Sequence, residues 1–246
     1  MRRAGPIALM ALLAACLAAG SAARLPLSVA LALSGARGAG LDWRAAEGTV
    51  WNGQVRGLAL RDYLLGDVRV SLSPFSLLTL SPRAALRLDG PEAEAEAQVA
   101  LRPGGALRVS NGAARLRLAE IVAIDPRLRA RGGTLTAEQA SFALRDGRCV
   151  EASGQLASDA LTYGLGGDWR GPALTGGFAC EAGVVVAHLS GAEEGQEVET
   201  AAHLGGGDYR VEAVVRSSDP DMARIAPLIG FSEYGEGWRY QRSFAP

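Results

Sequence analysis

Residues 92–101 read EAEAEAQVAL. Ala93, Ala95, Ala97, Val99 and Leu101 take every second position, and Glu92, Glu94, Glu96 and Gln98 lie between them. A period of two sends successive side chains to opposite faces of a strand, so this run predicts one apolar and one polar face. The pattern recurs in both directions. Val68, Val70 and Leu72 alternate with Asp67, Arg69, Ser71 and Ser73. Leu116 and Leu118 alternate with Arg115 and Arg117, and Phe142 and Leu144 with Ser141 and Arg145. Tyr209, Val211, Ala213 and Val215 alternate with Arg210, Glu212 and Arg216. One-sided strands of this kind belong to antiparallel sheets with one solvated face.

Turn signals separate the runs: Pro103-Gly104-Gly105, Asn111-Gly112, Gly132-Gly133, Asp146-Gly147, Gly166-Gly167 and Gly205-Gly206-Gly207. Asn-Gly and Asp-Gly between alternating runs are strong hairpin cues. Gly also opens several expected strands, at Gly48-Thr49-Val50, Gly133-Thr134-Leu135 and Gly154-Gln155-Leu156. The fold class is therefore mainly β: a curved antiparallel meander sheet, open or partly closed as a barrel or trough. Helix signals are few. Asp219-Pro220 can cap and start a short helix with Met222, Ile225 and Ile229 on one face and Gly230 ending it. A turn of helix fits Leu118–Ile124, before Asp125-Pro126. No strong linker divides the chain.

Ahead of this pattern, Arg2 and Arg3 precede a stretch without charge from Ala4 to Ala23, closed by Arg24. About 20 apolar residues suffice for a helix to cross the hydrocarbon core. The paired arginines favour a cytoplasmic N-terminus and export of the rest. Three readings fit: an uncleaved transmembrane anchor, a cleaved signal ending near Ser21-Ala22-Ala23, and a lipoprotein signal at Leu13-Ala14-Ala15-Cys16. The anchor fits best. The lipoprotein signal fits least, because Leu17, Ala18 and Ala19 stay apolar. The domains are thus 1–24, anchor or signal, and 25–246, a periplasmic β-rich domain.

The chain has 246 residues and a net charge of −1, which gives no electrostatic case for nucleic-acid binding. Its cationic side chains are all arginine. Outside the apolar segment only Cys149 and Cys180 remain, and an even pair in an oxidising compartment reads as one disulfide.

No catalytic, cofactor or metal motif emerges. His188 and His203 lie in alternating runs without partners at metal-ligand spacing. No Gly-x-Ser-x-Gly elbow and no phosphate-binding P-loop occur. The acidic run Glu193-Glu194-Gly195-Gln196-Glu197 reads as a solvated hairpin. Glu92, Glu94 and Glu96 read as a solvated strand face.

The segment Gly48-Thr49-Val50-Trp51-Asn52-Gly53 stands apart. Trp51 between glycines suggests a strand and bulge with one core aromatic and a close backbone approach. A short anchor, a Leu-Pro stretch (Leu25-Pro26-Leu27) and then Gly48, Val50, Trp51 and Gly53 resemble protein N of the bacterial type II secretion system. Ser73-Pro74-Phe75-Ser76-Leu77-Leu78 is similar to that family's proline-and-leucine element, and the Cys149–Cys180 pair is similar to its later half. The resemblance implies a single-pass inner-membrane protein with a periplasmic β domain. It implies no enzymatic activity, no cofactor, and a role assisting export of folded proteins with other secretion components. A relationship to AsmA-like envelope proteins offers the alternative of lipid or apolar-ligand handling. A periplasmic enzyme with a dispersed site is a third, weaker reading.

Overall fold

The computed structural model describes residues 24–60, 63–78, 81–102, 104–119, 132–164, 169–205 and 209–244. The apolar segment through Ala23 lies outside them. Among the described residues no helix is long and apolar enough to cross a membrane.

Among the described residues fifteen strands form one sheet. A short helix α1 (Leu27–Leu33) and a 3-10 turn lead into β1 (Leu41–Asp42), β2 (Ala45–Thr49), β3 (Asn52–Leu60) and β4 (Tyr63–Leu72). Helix α2 (Pro74–Leu78) connects to β5 (Arg83–Asp89), β6 (Ala93–Arg102), β7 (Ala106–Arg117), β8 (Thr134–Arg145) and β9 (Arg148–Ser158). Then follow β10 (Leu174–Glu181), β11 (Val184–Glu193), β12 (Gln196–Leu204) and β13 (Tyr209–Ser217). Helix α3 (Pro220–Ile225) and a 3-10 turn (Ala226–Ile229) precede β14 (Ser232–Tyr234) and β15 (Gly237–Phe244).

From β3 to β13 each strand pairs antiparallel with the next, as the meander reading expects. The sheet does not close: β1 and β2 flank β3 at one end, and β14 lies outside β15 at the other.

Register carries the alternating pattern across the whole sheet. Val55, Val68, Leu88, Ala95, Ala114 and Ala137 face one another in turn from β3 to β8. Leu156, Gly176, Leu189, Thr200, Ala213 and Tyr240 extend the row to β15. The opposite face has its own row, with Gln54, Arg69, Arg87 and Glu96 in β3–β6. Over β3–β6 one face is apolar and the other polar.

Glycine and bulges bend this sheet. Asn111-Gly112, expected as a hairpin turn, lies inside β7, where the register to β8 shifts. Asn111 has φ 52° and Gln139 of β8 has the same value. Further shifts occur between β6 and β7 at Glu96/Gln98, and between β8 and β9 at Glu138/Ser141. Bulges kink strands and increase twist, so this line of them curves the sheet across β6–β9. Gly154, expected to open a strand, lies within β9 at φ 143°. A Cβ there would sit 2.8 Å from Ala140 Cα, so the close approach of β8 explains the glycine.

The core is uneven. Trp169, Leu174, Val198, Val215, Met222 and Ala226 form one buried cluster, joined by Ile225, Ile229, Phe231 and Trp238. Helix α3 supplies Met222, and its start follows the sequence reading. Asp219 Oδ1 accepts from the Asp221 N–H at 2.8 Å, and Gly230 at φ 89° closes the turn that follows. A second cluster joins Ala137, Leu156 and Ala187. Strands β4–β7 contribute no fully buried apolar side chain among the described residues. The helical turn expected at Leu118–Ile124 falls mostly outside those residues.

Candidate functional site

Trp51 is not a core residue. Gly48 pairs with Gly53 and Thr49 with Asn52, which leaves Val50 and Trp51 as the turn of the β2–β3 hairpin. Trp51 is half-buried there, and its carbonyl accepts from Ser71 Oγ at 3.3 Å. The flanking glycines have separate steric reasons. Gly48 has φ 81°, and a Cβ on it would meet the Asn52 carbonyl oxygen at 2.6 Å. A Cβ on Gly53 would meet Leu27 Cδ2 at 2.6 Å and the Thr49 carbonyl oxygen at 2.7 Å.

Leu27 belongs to α1, so the hairpin is where this helix docks. Leu27 is buried, Pro26 forms an isolated antiparallel bridge with Thr49, and the Val50 N–H donates to the Leu25 carbonyl at 3.1 Å. The segment just beyond Arg24 thereby covers the first end of the sheet. At the other end β14 has three residues, all exposed. Native sheets keep such edges short, and an open edge is also the usual place for a partner's strand to add.

Cys149 and Cys180 are disulfide-bonded, with Cα atoms 5.6 Å apart. The β9–β10 ladder runs from Gln155↔Gly177 to Ser158↔Leu174, and the disulfide links the two strands beyond it. The Cys149 N–H donates to the Gly183 carbonyl at 2.7 Å, joining the tips of the β8–β9 and β10–β11 hairpins. Phe142 of β8 and Phe178 of β10 meet edge to face, with ring centroids 5.0 Å apart.

The charged groups of the polar face pair with one another. Glu197 accepts from Arg216 at 2.8 Å, and Glu212 from Arg239 at 3.2 Å. The hydrogen bond to Glu197, then the charges of Glu197 and Glu199, hold the Arg216 guanidinium above its ordinary pKa. Glu94 pairs with Arg117, which accounts for one rung of the acidic strand face. Exposed pairs of this kind add little to stability, since water screens them and both side chains lose rotamer freedom. His188 Nε2 lies 2.6 Å from Glu181 Oε1, a carboxylate partner that local spacing did not reveal because it comes from the neighbouring strand. No group of three or more His, Cys, Asp or Glu fit to hold a metal occurs among the described residues. A shallow groove crosses the polar face over Arg87, Glu94, Glu96, Arg115 and Glu138. Glu193–Gln196 is the tip of the β11–β12 hairpin, as its acidic run suggests.

An open antiparallel meander with one docked N-terminal helix and paired surface charges defines an extended single-sheet protein. Residues 39–240 match the family model of type II secretion system (T2SS) protein N, and the chain belongs to that family. Neither a curated protein nor a solved structure matches it significantly. Membership gives the chain a role in type II secretion, an envelope-associated process, together with other components of that system.

Proposed function

We propose that residues 1–24 hold the chain in the inner membrane by a single span, and that the sheet stands in the periplasm as a non-enzymatic binding surface. There it assists export of folded proteins by contacting other type II secretion components. The family match over 39–240 carries this reading. The disulfide supports an oxidising destination. The open edge at β14 supplies main-chain groups with which a partner strand can pair. Deleting the gene is expected to leave exoproteins in the periplasm, and complementation with the full chain to restore their release. Unchanged secretion in the deletion strain overturns the proposal.

One observation favours a second reading, the handling of lipid or another apolar ligand. Among the described residues no covering layer completely buries the apolar row through Val68, Leu88 and Ala95. Lipid co-purifying with the full chain, detected by mass spectrometry, supports that reading; its absence counts against it.

A further inference from the structure

We propose that the outer face of α1 is a membrane-surface contact, so that the domain rests on the bilayer through this helix instead of hanging from a loose tether. The inference rests on the anchored reading above. Pro26 has φ −64° and ψ 138°, an extended conformation, so α1 does not continue helically from the residues before it. The chain can therefore leave a membrane span at Arg24 and turn along the surface.

Docking fixes which way the helix faces. Leu27 is 5% exposed and packs at Gly53, while Val29 and Leu33 are 43% and 82% exposed. Residues four apart share a helix face. Val29 and Leu33 thus form a stripe turned away from the sheet, and Leu25, 38% exposed, precedes it. No other part of the described chain covers these side chains. Seven helical residues span about 10 Å, a length that can lie within the headgroup region.

Sequence names the occupant. The stripe begins directly after some 20 uncharged residues of the length a bilayer span requires. From Arg24 to Leu41 the only charged residues are Arg24 and Arg37. Apolar side chains flanked by arginines, with no carboxylate among them, match a surface of acyl chains below anionic phosphates. The β2–β3 hairpin would then hold the sheet at a defined angle to the membrane.

Nitroxide accessibility tests this in the full chain. Cys16→Ser is combined in turn with Val29→Cys, Leu33→Cys or Tyr234→Cys. Each protein is labelled with the Cys149–Cys180 disulfide intact and reconstituted into phosphatidylethanolamine–phosphatidylglycerol vesicles. Flotation shows whether it is anchored, and near-ultraviolet circular dichroism that it is folded. At positions 29 and 33 the ratio of oxygen to nickel-complex collisions is expected to exceed that at Tyr234→Cys, an exposed residue of β14. Floating protein with aqueous ratios at all three positions overturns the membrane contact and leaves the anchor intact. Protein that fails to float overturns both.

Discussion

A Cβ added at Gly53 would lie 2.6 Å from Leu27 Cδ2, 2.7 Å from the Thr49 carbonyl oxygen and 2.9 Å from that of Glu47. The leucine tip can rotate away, but the two carbonyls belong to the hairpin backbone. Gly53→Ala should therefore cost about 1–3 kcal/mol, the usual range for overpacking, and it should loosen α1 from the sheet. Gly38→Ala is the control, since its Cβ would meet nothing within 4 Å; its change should stay within about 0.5 kcal/mol. Urea denaturation midpoints of the two variants check both values. Gly176 is a harder limit: a Cβ there would fall 1.9 Å from the His188 carbonyl oxygen. At this scale the sequence marked Gly48 and Gly53 correctly as places of close approach. It misread Trp51 as core, because a tryptophan's size argues for burial whether it stands in a strand or at a turn.

Among the elements, β9 and β10 show what the disulfide does. Their ladder covers four residue pairs and stops at Gln155↔Gly177, and the covalent link lies beyond that point. Breaking it frees a loop between residues 31 apart. The chain-entropy model assigns such a closure about 3–4 kcal/mol. Cys149→Ser with Cys180→Ser should lose roughly that much, read as a shift in denaturation midpoint that reductant reproduces in the unaltered chain. Helix α3 gives a smaller expectation. Asp219→Ala removes the carboxylate that accepts from Asp221 and should cost about 1 kcal/mol. Turn cues divided unevenly at this scale. Asp146-Gly147 reverses the chain between β8 and β9, with φ values of 52° and 74°. Asn111-Gly112 has the same chemistry and also puts its first residue at φ 52°, yet the strand runs on through it. Such dipeptides report a left-handed residue; whether the chain then folds back depends on the partner strand, here on Gly112 facing Ala140. The sequence ahead of β1 marks only the Leu-Pro stretch Leu25-Pro26-Leu27, because the seven residues of α1 are too few for a 3.6-residue period to stand out.

Across the whole molecule the apolar row is continuous while its burial is not. Strands β10–β13 and β15 lie under Met222, Ala226 and Trp169, and β8, β9 and β11 share the Ala137–Leu156–Ala187 cluster. Among the described residues nothing gives strands β4–β7 an equivalent cover. In a meander each strand is held mainly by its two neighbours, so, as in repeat proteins, stability can vary along the chain. Native-state hydrogen exchange should find the slowest amides in β11–β13 and faster, sub-global opening in β5 and β6. Met222→Ala separates this gradient from a single cooperative unit. It should cost about 2–5 kcal/mol where the side chain is buried, lowering protection in β10–β15 while leaving β5 and β6 nearly unchanged. Equal loss of protection in both halves would mean that the bulge line through Asn111 and Gln139 transmits stability across the sheet. Protection lost only beyond β9 would make that line a boundary, with the N-terminal half of the sheet free to adapt to whatever it binds.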